Sequence, residues 1–134
     1  MRYSQRITII NIRKPAHKNI NQELQWLGSS LGLFNLRDKD KSCFRIFIEL
    51  IKTTKQNRPL TSDELAYKLG LSRGTVVHHL HKLLDSGIVV PTKHGYILRV
   101  NNLQDLVDEV EKDTIRTISE LKKMAKEIDE GLGL

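Results

Sequence analysis

The sequence predicts a mainly α fold that carries one small β-hairpin. Three observations lead there. Apolar residues recur at spacings of three and four along several stretches, the longest near the C-terminus. Gly70-Leu71-Ser72 separates two of these stretches by only three or four residues. Two short β-branched runs, Ile88-Val89-Val90 and Tyr96-Ile97-Leu98-Arg99-Val100, flank the turn-forming Pro91-Thr92-Lys93-His94-Gly95. The expected order is strand, helix, helix, helix–turn–helix, β-hairpin, long helix, with no internal repeat and no flexible linker.

Composition bounds the possibilities. With 134 residues, 39% hydrophobic and 28% charged, the chain fits one domain with appended elements. Three prolines and no low-complexity tract exclude a fully disordered chain. No apolar run is long enough to cross a bilayer, and Met1-Arg2-Tyr3-Ser4-Gln5-Arg6 does not open a secretory signal. Cys43, the one cysteine, can form neither an intramolecular disulfide nor a thiol metal cluster, and it reads as a small buried hydrophobe. The expected compartment is the cytoplasm, in association with the nucleoid. The formal charge is +6 and is unevenly spread. Residues 1–100 hold 17 basic and 7 acidic side chains, a balance of +10, and residues 101–134 hold 5 and 9, a balance of −4. A basic body points to a polyanionic partner, and the acidic tail segment to a separate task such as holding a partner chain.

Along the chain, the β-branched residues 6–12 read as a strand that ends at Lys14-Pro15. Ile20, Leu24, Leu27, Leu31 and Phe34 then share one helical face, beside Trp26, with Asn19 or Asn21 as cap. Gly28 and Gly32 weaken the last turn. Residues 35–41 are a charged connector. The next helix starts near Asp40 or Ser42, runs to about Thr54, and buries Cys43, Phe44, Phe47, Ile48 and Ile51. Thr61 and Glu64 have the spacing of a capping box, and Gly70 stops the helix they open. Ser72 caps a further helix that ends at Gly87.

Leu60 to Val100 is the informative stretch. A helix, a tight glycine-bearing turn, a second helix and a hairpin make a winged helix–turn–helix. Glu64-Leu65-Ala66, Leu69-Gly70-Leu71-Ser72, Thr75-Val76 and Leu80 through Leu84 followed by Gly87 resemble the DNA-reading core of ArsR-type regulators, with MarR-type regulators as the second match. The resemblance covers roughly residues 40–100. The compact, lysine- and isoleucine-containing style also resembles small prokaryotic regulators, archaeal ones in particular.

A helical wheel supports the match. Val76, Leu80, Leu83 and Leu84 cluster on one side of the second helix. Gly74, Thr75, His78, His81 and Lys82 lie opposite, with Arg73 in the first turn. Such a helix reads the major groove with its N-terminal residues and outer face. Arg73 suits guanine or phosphate, Ser72 and the free first-turn amides suit a phosphate, Gly74 allows close approach, and Lys82 suits phosphate. Ser62, in the first turn of the preceding helix, joins the DNA-facing set. The resemblance implies that the hairpin is a wing on the adjacent minor groove or backbone, contacting DNA through Lys93 and His94 at its tip. Arg99 on the return strand is assigned to the same surface.

His78, His79, His81 and His94 fall close together, and His78 and His81 share a helix face. A metal site needs three or four ligands, and no second cysteine or paired carboxylate completes one. ArsR-type metal sensors carry cysteine pairs or His/Asp sets on their dimer helices, a pattern missing here. The expectation is therefore no metal and no cofactor, with His78 and His81 as DNA-facing donors and His79 at the edge of the core. No nucleotide loop, nucleophile elbow or HExxH helix is present, so no enzyme is expected.

From Asn101 onward one long helix is expected, with Leu103, Val107, Val110, Ile118, Leu121, Ala125, Ile128 and Leu132 apolar. From Ile118 the spacings alternate three and four, as in a coiled coil, and the pattern slips between Val110 and Ile118 by way of Thr114 and Ile115. About 30 helical residues span some 45 Å, more than one small domain covers. Both outer helices are thus expected to build a homodimer. The contacts would be Ile20, Leu24, Leu27, Leu31 and Phe34 from the first, and Val107, Val110, Ile118, Leu121, Ala125 and Ile128 from the last.

The expected organisation is a dimerising N-terminal strand and helix over 1–38, a DNA-binding winged helix–turn–helix over 39–100 and a dimerisation helix over 101–134. The function expected is a dimeric regulator that binds double-stranded DNA at specific sequences. The competing reading is an architectural or assembly factor that binds DNA without specificity, or binds a protein.

Overall fold

A computed structural model describes residues 4–16, 19–34 and 41–134. Most of the connector expected over 35–41, including Asp38 and Asp40, lies outside the described residues. The described residues form five helices and one hairpin, in the order α1 (Ile20–Ser30), α2 (Ser42–Thr54), α3 (Ser62–Leu69), α4 (Arg73–Asp85), β1 (Val89–Thr92), β2 (Gly95–Leu98) and α5 (Leu103–Leu132). The fold is a winged helix–turn–helix with an appended long C-terminal helix.

Local chemistry sets the helix ends. Asn19 caps α1, its side chain accepting from the amides of Asn21 and Gln22. Thr61 and Glu64 close the capping box of α3 in both directions, at 3.1 and 3.0 Å. The backbone N–H and then the hydroxyl of Thr61 hold the Glu64 carboxyl below its usual pKa, against a small opposing effect of burial. Gly70 ends α3 in the left-handed conformation at φ +65°, which redirects the chain into α4 within three residues.

The core is built where α2, α3 and α4 meet the hairpin. Ile46, Phe47, Leu50, Leu65, Val76, Leu80, Leu83, Val89 and Leu98 are all buried there. Cys43 is buried among them. Ile48 and Ile51 are only half-buried, and Ile46 and Leu50 take the inner positions of α2. Polar groups close the seams. Glu49, nearly buried on α2, meets Lys68 of α3 at 3.1 Å. The Leu98 amide donates to the Thr54 hydroxyl at 3.2 Å.

The hairpin is tighter than the sequence suggests. Thr92 pairs with Gly95, so only Lys93 and His94 lie between the strands. Leu60 adds a single bridge to Tyr96 on the other edge of β2. That bridge requires Gly95: its φ is +135°, and a Cβ there would stand 2.6 Å from the Leu60 carbonyl group.

Two expectations are corrected. Residues 6–12 form no strand. The segment is an extended arm whose amides make isolated bonds, Arg6 N–H to the Asp85 carbonyl at 2.9 Å and Ile10 N–H to the Ser30 carbonyl at 2.7 Å. Without a run of neighbouring backbone partners, a β-branched stretch stays extended without joining a sheet.

The second correction concerns the dimer residues of the N-terminal helix. Leu31 belongs to the core of its own chain, and Leu27 and Phe34 pack against it. Phe34 meets the rings of Phe44 and Phe47 edge-on, at 5.1 and 6.1 Å between centroids. Leu24 is half-buried, and only Ile20 is left at 73% exposure. Heptad spacing here marks a stripe consumed within the chain. Val110 is likewise a core residue, at 8% exposure.

α5 divides into two parts. Leu106, Val110 and Asp113 are buried against the domain. From residue 115 onward every residue is exposed. Leu121 and Ile128 continue the face of Val110 around the helix, so the change marks the point where α5 runs beyond the domain.

Candidate nucleic-acid interface

α4 presents the face that the sequence singled out. Ser72 caps it, accepting from the Thr75 amide at 3.1 Å while its hydroxyl donates to the Thr75 hydroxyl at 2.8 Å. Val76, Leu80 and Leu83 turn inward, and Leu84 is half-buried. Ser72, Arg73, Gly74, His78 and His81 are exposed, and Thr75 and Lys82 half-buried. Ser62 is half-buried at the first turn of α3. The Arg73 guanidinium lies 3.4 Å from Asp63, with both side chains more than 70% exposed. Such a surface pair contributes at most about 1 kcal/mol and gives way readily to a better anion.

Gly74 has no packing reason to be glycine. A Cβ there meets nothing within 4 Å, and its φ is ordinary for a helix. Glycine inside a helix costs about 1 kcal/mol relative to alanine. Bare backbone on the outermost face of α4 suits close approach of a partner.

Lys93 and His94 stand exposed at the hairpin tip. The tip is held in shape by Thr92, whose hydroxyl donates to the Gly95 carbonyl at 2.9 Å and accepts from the His94 amide at 3.1 Å.

Arg99 is placed elsewhere, and its expected DNA contact is corrected. Its guanidinium bonds Asp113 of α5 at 2.6 Å and reaches Glu109 at 3.4 Å. Asp113 is 2% exposed and also accepts from Gln5 at 2.8 Å and from Arg116 at 2.8 Å. The hydrogen bond from Arg99 holds the Asp113 carboxyl below its usual pKa; burial opposes this, and Gln5 and Arg116 reinforce it. Arg99 therefore ties the hairpin to α5.

One residue outside the expected set also comes to this side of α4. Arg6, on the arm, lines a cleft of about 520 Å³ together with His78, His81 and Lys82 of α4. Nothing in the local pattern of residues 4–12 signals this, because the contact spans more than seventy residues of chain. Tyr67, 93% exposed on α3, is a second exposed group that no spacing marks out.

Among the described residues, no group of three His, Cys, Asp or Glu side chains could hold a metal ion. Among the same residues, no helix is long and apolar enough to cross a membrane.

Residues 40–92 match the family model described as a helix-turn-helix domain, which spans α2 through β1. No curated protein and no solved structure matches the chain. A helix-turn-helix domain with a wing supports DNA as the partner and regulation of transcription as the setting.

Proposed function

We propose that the chain is a dimeric regulator of transcription that reads specific double-stranded DNA. α4 enters the major groove by its N-terminal half, and the wing tip with Lys93 and His94 rests on the adjacent backbone or minor groove. The observation that carries this reading is the outer face of α4. It joins an exposed arginine, an exposed helix N-terminus capped by Ser72 and a glycine without a packing role. Ser72 and the first-turn amides suit a phosphate, and Arg73 suits a guanine edge.

The dimer rests on α5, where Val107 is 40% exposed and the outer part carries the rest of the stripe. Ile118, Leu121 and Ile128 are 45–63% exposed, and Ala125 is exposed between them. An exposed apolar stripe of this length suits burial against a second copy, and a two-fold dimer would present two α4 helices to one site.

Two substitutions test the docking mode. Arg73→Ala should weaken binding to the preferred site by about 1–3 kcal/mol and leave the fold intact. Equal affinity for wild type and variant in a fluorescence-anisotropy titration would remove Arg73 from the interface. Gly74→Ala should raise thermal stability by about 0.5–1 kcal/mol, because it fills open space on a helix. The same variant should bind DNA more weakly than wild type. A stabilised variant with undiminished affinity would show that α4 does not approach DNA by this face.

A further inference from the structure

The arm brings chemistry to α4 that the sequence keeps far apart. Ser4, Arg6 and Thr8 of the arm line the 520 Å³ cleft together with His78, His81 and Lys82 of α4 and the apolar Leu31 and Leu33. The arm is a built part of the fold. The Gln5 amide donates to the Ser86 carbonyl at 3.0 Å and to Asp113 at 2.8 Å. Two glycines with positive φ receive it. A Cβ on Gly87 would stand 2.4 Å from the Gln5 amide nitrogen, and one on Gly32 would stand 2.6 Å from the Thr8 methyl. The Arg6 and Ile10 amides pin the backbone on either side of Thr8.

We propose that this cleft binds a phosphate group, held by Arg6 and Lys82 with the two imidazoles and the Ser4 and Thr8 hydroxyls as further donors. Two basic side chains, two imidazoles and the Ser4 and Thr8 hydroxyls line the cleft, against one carboxylate, Asp85; the Ser86 hydroxyl, also in the lining, already donates to the Leu83 carbonyl. The Asp85 backbone carbonyl is already bonded to the Arg6 amide. A guanidinium held on a fixed backbone grips a phosphate with less loss of freedom than one on a loose tail. The phosphate can be that of a DNA backbone flanking α4, or that of a small phosphorylated ligand. The volume accommodates either. The first source rests on the DNA reading above; the second does not. A free ligand in this cleft would occupy His78, His81 and Lys82 and so compete with DNA.

The test uses the full chain, with Arg6→Ala as the variant and Lys126→Ala, on exposed α5, as a charge-matched control. Duplex DNA affinity is followed against salt. Separately, inorganic phosphate is titrated at constant ionic strength, without DNA, against the imidazole NMR signals of His78 and His81. If the site holds a backbone phosphate, Arg6→Ala weakens binding to all duplexes alike and lowers the salt slope by about 1, and Lys126→Ala does neither. If it holds a free ligand, phosphate shifts the imidazole signals in wild type and not in Arg6→Ala. Unchanged affinity and slope together with unmoved imidazole signals would overturn the proposal. If wild type binds no DNA, the DNA reading fails, and the phosphate titration alone decides this site.

Discussion

Replacing Asp113 by alanine is expected to destabilise the fold by about 2–3 kcal/mol and to loosen the arm, the wing and α5 together. Asp113 is buried and accepts hydrogen bonds from Gln5, Arg99 and Arg116, which belong to the arm, the end of the hairpin and α5. Its removal leaves the half-buried Arg99 facing Glu109 alone, at 3.4 Å. The effect falls below that of breaking a fully buried pair, because the Arg99 side chain keeps 30% of its surface in water.

The pH dependence has a definite sign. A carboxyl whose pKa is lowered by folding adds stability above its unfolded pKa, and that share is lost as pH falls through the folded value. Wild type should therefore lose this contribution below about pH 4, where Asp113→Ala has none to lose. Urea unfolding followed by circular dichroism, at neutral pH and in acid, checks both statements. Equal midpoints for the two proteins at neutral pH would show that Asp113 ties nothing together.

Leu121→Glu is expected to convert a dimer to a folded monomer and to weaken binding to a two-fold site by a hundredfold or more. Leu121 is 63% exposed in the single chain and lies in the middle of the α5 stripe, with Ile118 and Ile128 to either side. A carboxylate buried at this position in a helix pair would lack a partner. Within the chain the substitution disturbs nothing, since no residue beyond 114 is buried. Loss of the second α4 removes the gain from linked binding, about 10²–10⁴-fold. Sedimentation at micromolar concentration separates the outcomes. A wild-type monomer would remove the dimer from the account, and a Leu121→Glu dimer would move the interface off this stripe.

The legible parts of the sequence were those with local causes. The capping box of Thr61 and Glu64, the left-handed Gly70, the Ser72 cap and the hairpin residues each fix a boundary by contacts within a few positions. α3, α4 and the wing could therefore be read directly. The inner and outer faces of α4 followed from its period.

The misreadings have long-range causes. The Ile7, Ile9 and Ile10 stretch has the residue types of a strand, but a strand needs a neighbour, and here the arm meets single carbonyls of Asp85 and Ser30. Leu27, Leu31 and Phe34 have heptad spacing whether they face a second chain or their own core. Only the positions of Phe44 and Phe47 decide between the two. Arg99 looked like a wing cation because its partner, Asp113, lies fourteen residues on, across a turn and into another helix. The arm cleft was invisible for the same reason.

Two copies of α4 reading one DNA site would leave a two-fold signature in the sequences that the protein selects. The most direct measurement is selection of the protein against a randomised duplex pool, with the recovered sequences read out and affinity followed against salt. The expected result is enrichment of a two-fold symmetric motif whose half-site spacing reports the distance between the paired α4 helices. Binding with a steep salt slope and no enriched motif would contradict it and make the protein an architectural DNA binder.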